Sequence, residues 1–299
     1  MMRRVICATW IILMGFAGSA IGQEAPSPAI GHIFNDIRAM QRRPLSDRDK
    51  GEDMRQAYLA KVGPYRRAAA LQSLSTDDVR VLLRTAFTTV FFSFDRQFAD
   101  DERLFLAELE RRRAATREDY ETVVKGYTTV RDMANARQYA PKAGLNVADY
   151  PDIKPTTIPK GGSTVIEPAV DDQGNLTRTL FTVAGPGLKV VVVSDSMCHF
   201  SSAAATAFDQ LPLLKSEMAE HSLWVVPPQG RLELSETHKW NADHPSEHMV
   251  MMYALSEWAA IDTTETPTFY IFRNGVLQKK IVGWRGQETE DALIAAMKG

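Results

Sequence analysis

The run Ser194-Asp195-Ser196-Met197-Cys198-His199-Phe200-Ser201 sets a thiol among hydroxyls, a carboxyl and an imidazole. It follows Lys189-Val190-Val191-Val192-Val193, a continuous β-branched stretch of the kind buried at the centre of a sheet. An alanine-rich stretch reading as helix to about residue 218 comes after it. A cysteine between a buried strand and a helix start meets free backbone N–H groups and the positive end of the helix dipole. That setting lowers a thiol pKa and favours the nucleophilic thiolate. The Cys198-x-x-Ser201 spacing puts a hydroxyl one helical turn beyond the sulfur, and a protonated His199 adds positive charge. A buried, inert cysteine fits the same local pattern, so the elements around it must decide.

Composition narrows the options. The chain has 299 residues, 44% hydrophobic and 24% charged, as expected for one large or two modest globular domains. A formal net charge of −2 supplies no whole-chain positive field for a nucleic-acid backbone. Two cysteines exclude a disulfide-stapled mini-protein and a thiolate-built zinc site. His238, His244 and His248 could join Cys198 in a copper or zinc site, the last two at helical i,i+4 spacing. Asp243 before Pro245 reads equally as a helix cap and the three imidazoles as solvated, so no metal and no other cofactor is expected. There is no phosphate-cradling glycine loop, serine-nucleophile elbow or paired-carboxylate motif.

The amino terminus points to export. Met1-Met2-Arg3-Arg4 precedes an apolar run to about Ala17 and then Gly18-Ser19-Ala20-Ile21-Gly22, the order of a secretory signal peptide. The run falls short of the ~20 residues that span a bilayer comfortably, so a membrane is expected only through an uncleaved signal. Cleavage removes Cys7 and leaves Cys198 as the one thiol in a periplasmic or secreted, oxidising compartment.

The elements that must position Cys198 fall into two parts. Residues 23–140 read as a helical domain. The stripe Val79, Leu82, Leu83, Ala86, Phe87, Val90, Phe91 and Phe94 follows Ser75-Thr76-Asp77-Asp78, an acidic variant of the capping box. A further helix start is read at Asp100-Asp101-Glu102 and another at Thr116, with Arg111-Arg112-Arg113 a solvated helix end. Prolines and Gly161-Gly162 mark residues 141–163 as a linker. Residues 164–299 then read as strands at 164–170 and 176–183 around a hairpin turn, the run at Val190, a strand at 222–226, a mixed insertion, an apolar strand within 266–275, a strand at 276–282, and a closing helix.

Within that second part stand Thr266-Pro267-Thr268, then Asn274-Gly275, and a last strand ending at Gly283. A β-branched strand, Cys-x-x-[Cys/Ser] opening a helix, Thr-Pro-Thr with an apolar strand, and a final strand ending in glycine resemble the thioredoxin superfamily over 180–299. The resemblance implies an N-terminal helical domain followed by a thioredoxin-like α/β domain with a central mixed sheet. It also implies that Pro267 is cis, faces Cys198 and, with Thr266, contacts a substrate peptide. The chain departs from the family pattern in Ser201 at the second cysteine position, Met197 in place of the usual tryptophan, and Val192 in place of the buried acid. Peroxiredoxins place threonine three residues before their cysteine, where this chain has Asp195, whose charge would oppose a thiolate.

Without a resolving thiol, Cys198 can still attack a disulfide and hold a mixed disulfide until another thiol releases it. The expected function is monothiol thiol–disulfide exchange or isomerase-type activity on exported protein substrates. Cys198 is the expected nucleophile, Ser201 and His199 tune it, and Thr266 and Pro267 contact substrate. The alternative is a non-catalytic thioredoxin-like module that binds envelope partner proteins, a layout broadly similar to some conjugative pilus-assembly proteins. The signal reading has its own test: mass spectrometry of the exported protein is expected to find an amino terminus near Gln23, and an intact Met1 in the cytoplasm would refute export.

Overall fold

Short polar side chains start the N-terminal helices by taking up their free N–H groups. A computed structural model describes residues 26–159, 162–228 and 230–298, so the expected signal segment, 1–22, and Cys7 lie outside the described residues. The N-terminal part comprises α1 (Pro28–Met40), α2 (Asp47–Lys61), α3 (Ala68–Gln72), α4 (Thr76–Ser93), α5 (Arg96–Arg111), α6 (Arg117–Thr129) and α7 (Met133–Tyr139). Ser46 and Ser75 cap α2 and α4, and Thr116 with Asp119 forms a reciprocal capping box on α6. Ser27 spends its N–H and hydroxyl on Asp78 instead, at 2.7 and 2.9 Å, tying α1 to the first turn of α4.

Two expectations for these helices are corrected. The helix expected to start at Asp100 begins at Arg96, because Asp95 accepts the Gln97 N–H and caps it there. Asp101 and Glu102 therefore lie in mid-helix and in the core. Tyr58 and Arg66 donate to Asp101, whereas both oxygens of the fully buried Glu102 lack a partner. Burial first, then the charge of Asp101, pushes the Glu102 pKa well up and favours the neutral acid. Its carboxyl lies against Gly126 of α6, where a Cβ would come within 2.4 Å of the oxygens. The arginine triplet is not simply solvated either. Arg111 and Arg112 grip Glu108 at 2.7 Å, and Arg112 also donates to the carbonyls of Leu71 and Leu74, closing α5 onto the α3–α4 connection.

The second part is one mixed sheet of β1 (Ile153–Lys154), β2 (Ser163–Val170), β3 (Leu176–Phe181), β4 (Leu188–Val193), β5 (Ser222–Val226), β6 (Met249–Met252), β7 (Thr268–Arg273) and β8 (Val276–Val282). Their order is β1-β3-β2-β6-β5-β4-β7-β8. Strand alternation splits the valines of β4. Val190 and Val192 face a core with Ala204, Phe208 and Leu293, while Val191 and Val193 face Trp258 and Tyr270. The alanine-rich stretch after β4 is two helices, α8 (His199–Gln210) and α9 (Pro212–His221), parted at Pro212. α10 (Leu234–Asp243) and α11 (Gln287–Lys298) complete the fold.

β6 lies in the stretch read only as a mixed insertion. It pairs in parallel with β5 and antiparallel with β2, so it joins the β2–β3 hairpin to the central strands. The helices pack on this extension: their core continues into Ile166, Leu176 and Met251. The proline-rich connection contributes β1, parallel to β3. Among the described residues no helix is long and apolar enough to cross a membrane.

Glu247 gives this fold a pH signature. It is 1% exposed with one oxygen unpaired, and burial followed by the charge of Asp209 raises its pKa to about 7. In the unfolded chain it ionises near ~4.3. Its contribution is therefore full below that pH and lost as pH rises through 7. Glu247→Gln is expected to be more stable than wild type above pH 7, by roughly 1–3 kcal/mol, with the gap closing toward pH 4 in urea titrations.

Candidate functional site

The end of β4 turns sharply to deliver the cysteine. Ser194 is buried and its N–H bonds the Val225 carbonyl at 2.9 Å. Asp195 then accepts twice: its side chain takes the Met197 N–H at 2.7 Å and its carbonyl takes the Cys198 N–H at 3.0 Å. This leaves Cys198 as the residue that precedes α8, in extended geometry (φ −79°, ψ 117°), with its side chain beside the free N–H groups of the first turn. The sulfur is partly exposed, and its S–H donates to the Thr266 carbonyl at 3.5 Å.

Burial by itself would raise the Cys198 pKa. The side chain of Thr266, the N–H and nearby hydroxyl of Ser201, and the N–H of Phe200 favour an ionised sulfur and outweigh it, so the thiol lies below its ordinary value. Ser201, one turn along α8, is fully buried and its hydroxyl makes no full hydrogen bond. A thiolate at Cys198 supplies the acceptor that this hydroxyl lacks, which is a physical reason for the ionised form to gain more than the neutral one.

The residues singled out in the sequence separate here. Cys198, Ser201 and Thr266 come together, and Thr266–Pro267 is a cis peptide bond with Pro267 buried and its carbonyl accepting the Gly283 N–H at 2.8 Å. His199 is exposed and stands edge-on to Phe200, with 5.8 Å between ring centroids. Met197 and Phe200 are 66% and 57% exposed, so large apolar surface flanks the sulfur on the solvent side. The histidines do not share a helix. His244 follows the end of α10 with its ring 4.4 Å from Trp240, and His248, beyond a short 3-10 turn, lies 3.3 Å from Glu167. Among the described residues no group of three or more His, Cys, Asp or Glu side chains gathers as metal ligands.

Two residues missed in the sequence hold the Thr266 loop. Asp47, at the start of α2, accepts from the Thr264 N–H at 2.7 Å and from the hydroxyls of Thr263 and Thr264 at 2.9 and 3.0 Å, while Lys50 pairs with its other oxygen. Burial works against this carboxylate, but the Thr264 N–H, Lys50 and the threonine hydroxyls outweigh it and lower its pKa. Arg48 donates to the carbonyls of Trp258 and Ile261. On the sheet side Asp262 takes the Tyr270 hydroxyl and Lys280, both at 2.7 Å. The helical part thus fixes the segment that ends against the sulfur. In the sequence Asp47 is one more acid at a helix start, with nothing to mark its partner 217 positions away.

In the run β5-β4-β7-β8, β4 and β5 are parallel and joined through α8 and α9, β7 and β8 are antiparallel, and α11 closes the chain. With a cysteine before α8 and Pro267 before β7, this is a thioredoxin-like α/β domain preceded by a helical region. No protein-family model matches the chain, and no curated protein matches it. Among solved structures it is similar to a thioredoxin-like protein from Bacteroides caccae ATCC 43185, at 13% identity over 99% of each chain, with a TM-score of 0.32. The fold assignment rests on strand order and connections, not on that likeness. The clamp is testable: Asp47→Ala is expected to keep the circular dichroism of the folded protein while raising the pH midpoint of Cys198 alkylation, because the loop bearing Thr266 loses its anchor. An unchanged midpoint would show that the loop holds itself.

Proposed function

We propose that the protein carries out monothiol thiol–disulfide exchange of the isomerase type on exported protein substrates, in the periplasm or outside the cell. The observation that carries this reading is the position of Cys198: partly exposed, before α8, with its pKa lowered and the Ser201 hydroxyl free to bond a thiolate. The Cys198 thiolate attacks one sulfur of a substrate disulfide. A Cys198–substrate disulfide forms, the substrate disulfide breaks, and the displaced thiolate takes a proton from solvent. A second substrate cysteine, as thiolate, then attacks the mixed disulfide and Cys198 leaves as thiolate. No net electrons are transferred, and the enzyme ends as it began.

Ser201 suits this cycle. A cysteine there would resolve the intermediate inside the protein, whereas a hydroxyl stabilises the leaving Cys198 sulfur and cannot attack. Thr266 and Pro267 would line the substrate segment next to the disulfide, and Met197 and Phe200 supply apolar contact beside it. His199, at the rim, would meet substrate rather than the sulfur.

Alkylation of Cys198 by iodoacetamide is expected to show a midpoint below the ~8.5 of a free cysteine, and Ser201→Ala is expected to raise it. The wild-type protein, unlike Cys198→Ser, is expected to form mixed disulfides with exported proteins. A midpoint at or above the free value, with nothing trapped, would replace this reading with the non-catalytic binding module.

A further inference from the structure

Buried polar groups almost always find a hydrogen-bond partner. Among the described residues, the side-chain hydroxyls buried without one are those of Ser194 and Ser201, and they bound the segment that carries the thiol. Ser194 opens the turn after β4, and Ser201 lies in the first turn of α8, close enough to Cys198 to favour its ionised form. The sulfur is thus set between opposite functions. Its S–H donates to the Thr266 carbonyl at 3.5 Å, while the N–H groups of Phe200 and Ser201 and the Ser201 hydroxyl are donors beside it. The Asp195 carboxylate, three residues before the cysteine, is spent on the Met197 N–H at 2.7 Å.

No state of the bare sulfur serves both sides. A thiol donates to Thr266 but is a weak acceptor for Ser201. A thiolate accepts from Ser201 but has no hydrogen for the Thr266 carbonyl. A sulfenic acid, with one oxygen added to the sulfur, has an O–H to donate and an oxygen that accepts. It forms at thiols that are ionised and open to solvent, and Cys198 is both partly exposed and biased toward thiolate. Cys198 is also the one free cysteine among the described residues, so no second thiol there condenses with the oxidised sulfur.

We propose that Cys198 has a second activity, the reduction of organic hydroperoxides through a sulfenic acid held between Thr266 and Ser201. It rests on the reactive thiolate of the exchange reading, but not on a protein disulfide as substrate. The thiolate attacks the terminal peroxide oxygen. An S–O bond forms, the O–O bond breaks, the sulfur gives up two electrons, and the alkoxide leaves and takes a proton from solvent. A small thiol, as thiolate, then attacks the sulfenic sulfur; an S–S bond forms and the hydroxyl leaves as water with a solvent proton. A second small thiol displaces Cys198 as thiolate. The net change is one hydroperoxide and two thiols to one alcohol, one water and one small disulfide. The exposed Met197 and Phe200 flank the sulfur on the solvent side, where the alkyl group of the peroxide meets apolar surface.

The test uses the exported protein with cumene hydroperoxide, hydrogen peroxide and the sulfenic-acid reagent dimedone. Rates are divided by the thiolate fraction read from the iodoacetamide pH profile, so that differences in thiol ionisation cancel. Stoichiometric cumene hydroperoxide is expected to add one oxygen at Cys198, seen by intact mass and trapped by dimedone, faster than hydrogen peroxide does. Excess N-acetylcysteine is expected to give turnover with one disulfide per alcohol. Ser201→Ala, with unchanged circular dichroism, is expected to shorten the lifetime of the oxidised state roughly tenfold, the scale of one buried hydrogen bond. Met197→Ser with Phe200→Ser is expected to bring cumene hydroperoxide down to the hydrogen peroxide rate. A thiol that titrates below the free value yet yields no dimedone adduct, or an equal lifetime in Ser201→Ala, would overturn the sulfenic acid and leave the exchange reading in place. Cumene hydroperoxide no faster than hydrogen peroxide would overturn the organic substrate. Hydroperoxide turnover with no mixed disulfide on exported proteins would support this activity and overturn exchange. A thiol that titrates at or above the free value would overturn both.

Discussion

The pairing of β4 with β7 is the constraint on which the site depends. Val193 lies opposite Thr268, so the turn after β4 and the loop before β7 emerge at the same end of the sheet. That register brings Cys198 toward Thr266 across 68 positions of chain. It is secured by burial on both faces, with Val190 and Val192 packed under α8 and α11 and Val191 and Val193 packed against Trp258 and Tyr270. A one-residue slip would exchange those faces and separate the sulfur from the loop, so the cost of disrupting two cores protects the site.

The helical part is built into this arrangement. Its core runs on into Ile166, Leu176 and Met251, and its Asp47 gathers donors from the very loop that ends at Thr266. A carboxylate taking three hydrogen bonds on one oxygen and an ammonium on the other is stronger than the sum of exposed pairs, because burial strengthens each bond. Packing and electrostatics therefore act together: apolar contact sets where the helices lie, and Asp47 and Arg48 set where the loop stops.

Some polar groups follow the opposite rule. Glu102 and Ser201 are buried without partners, the first inside the helices and the second beside the sulfur. For Glu102 the outcome is a carboxyl pressed on Gly126 with its pKa pushed well up by burial. For Ser201 the missing partner is one that ionisation of Cys198 would provide, so the same physical cost that is a liability in the helical core becomes a bias toward thiolate at the site.

The sequence by itself determined the elements whose signals are local. The valine run of β4, the capping pairs at Ser75 and Thr116, the hairpin around Gly174 and the Cys198-x-x-Ser201 spacing each depend on neighbours within a few positions, and each stands in the structure where the pattern put it. Tertiary structure alone decided the rest. β6 is a methionine-rich strand without a strong strand preference, and only the gap between β5 and β2 makes it one. Asp100 to Glu102 resemble a helix start until Asp95 is seen to cap the helix a turn earlier. The histidine spacing suggested a shared helix face, yet α10 ends before His244. The role of Asp47 depends on contacts between distant segments, and no local pattern encodes a partner that far along the chain. Local free energy sets which elements form; which side chains meet is settled only when their buried faces find one register in which nearly every apolar group is covered.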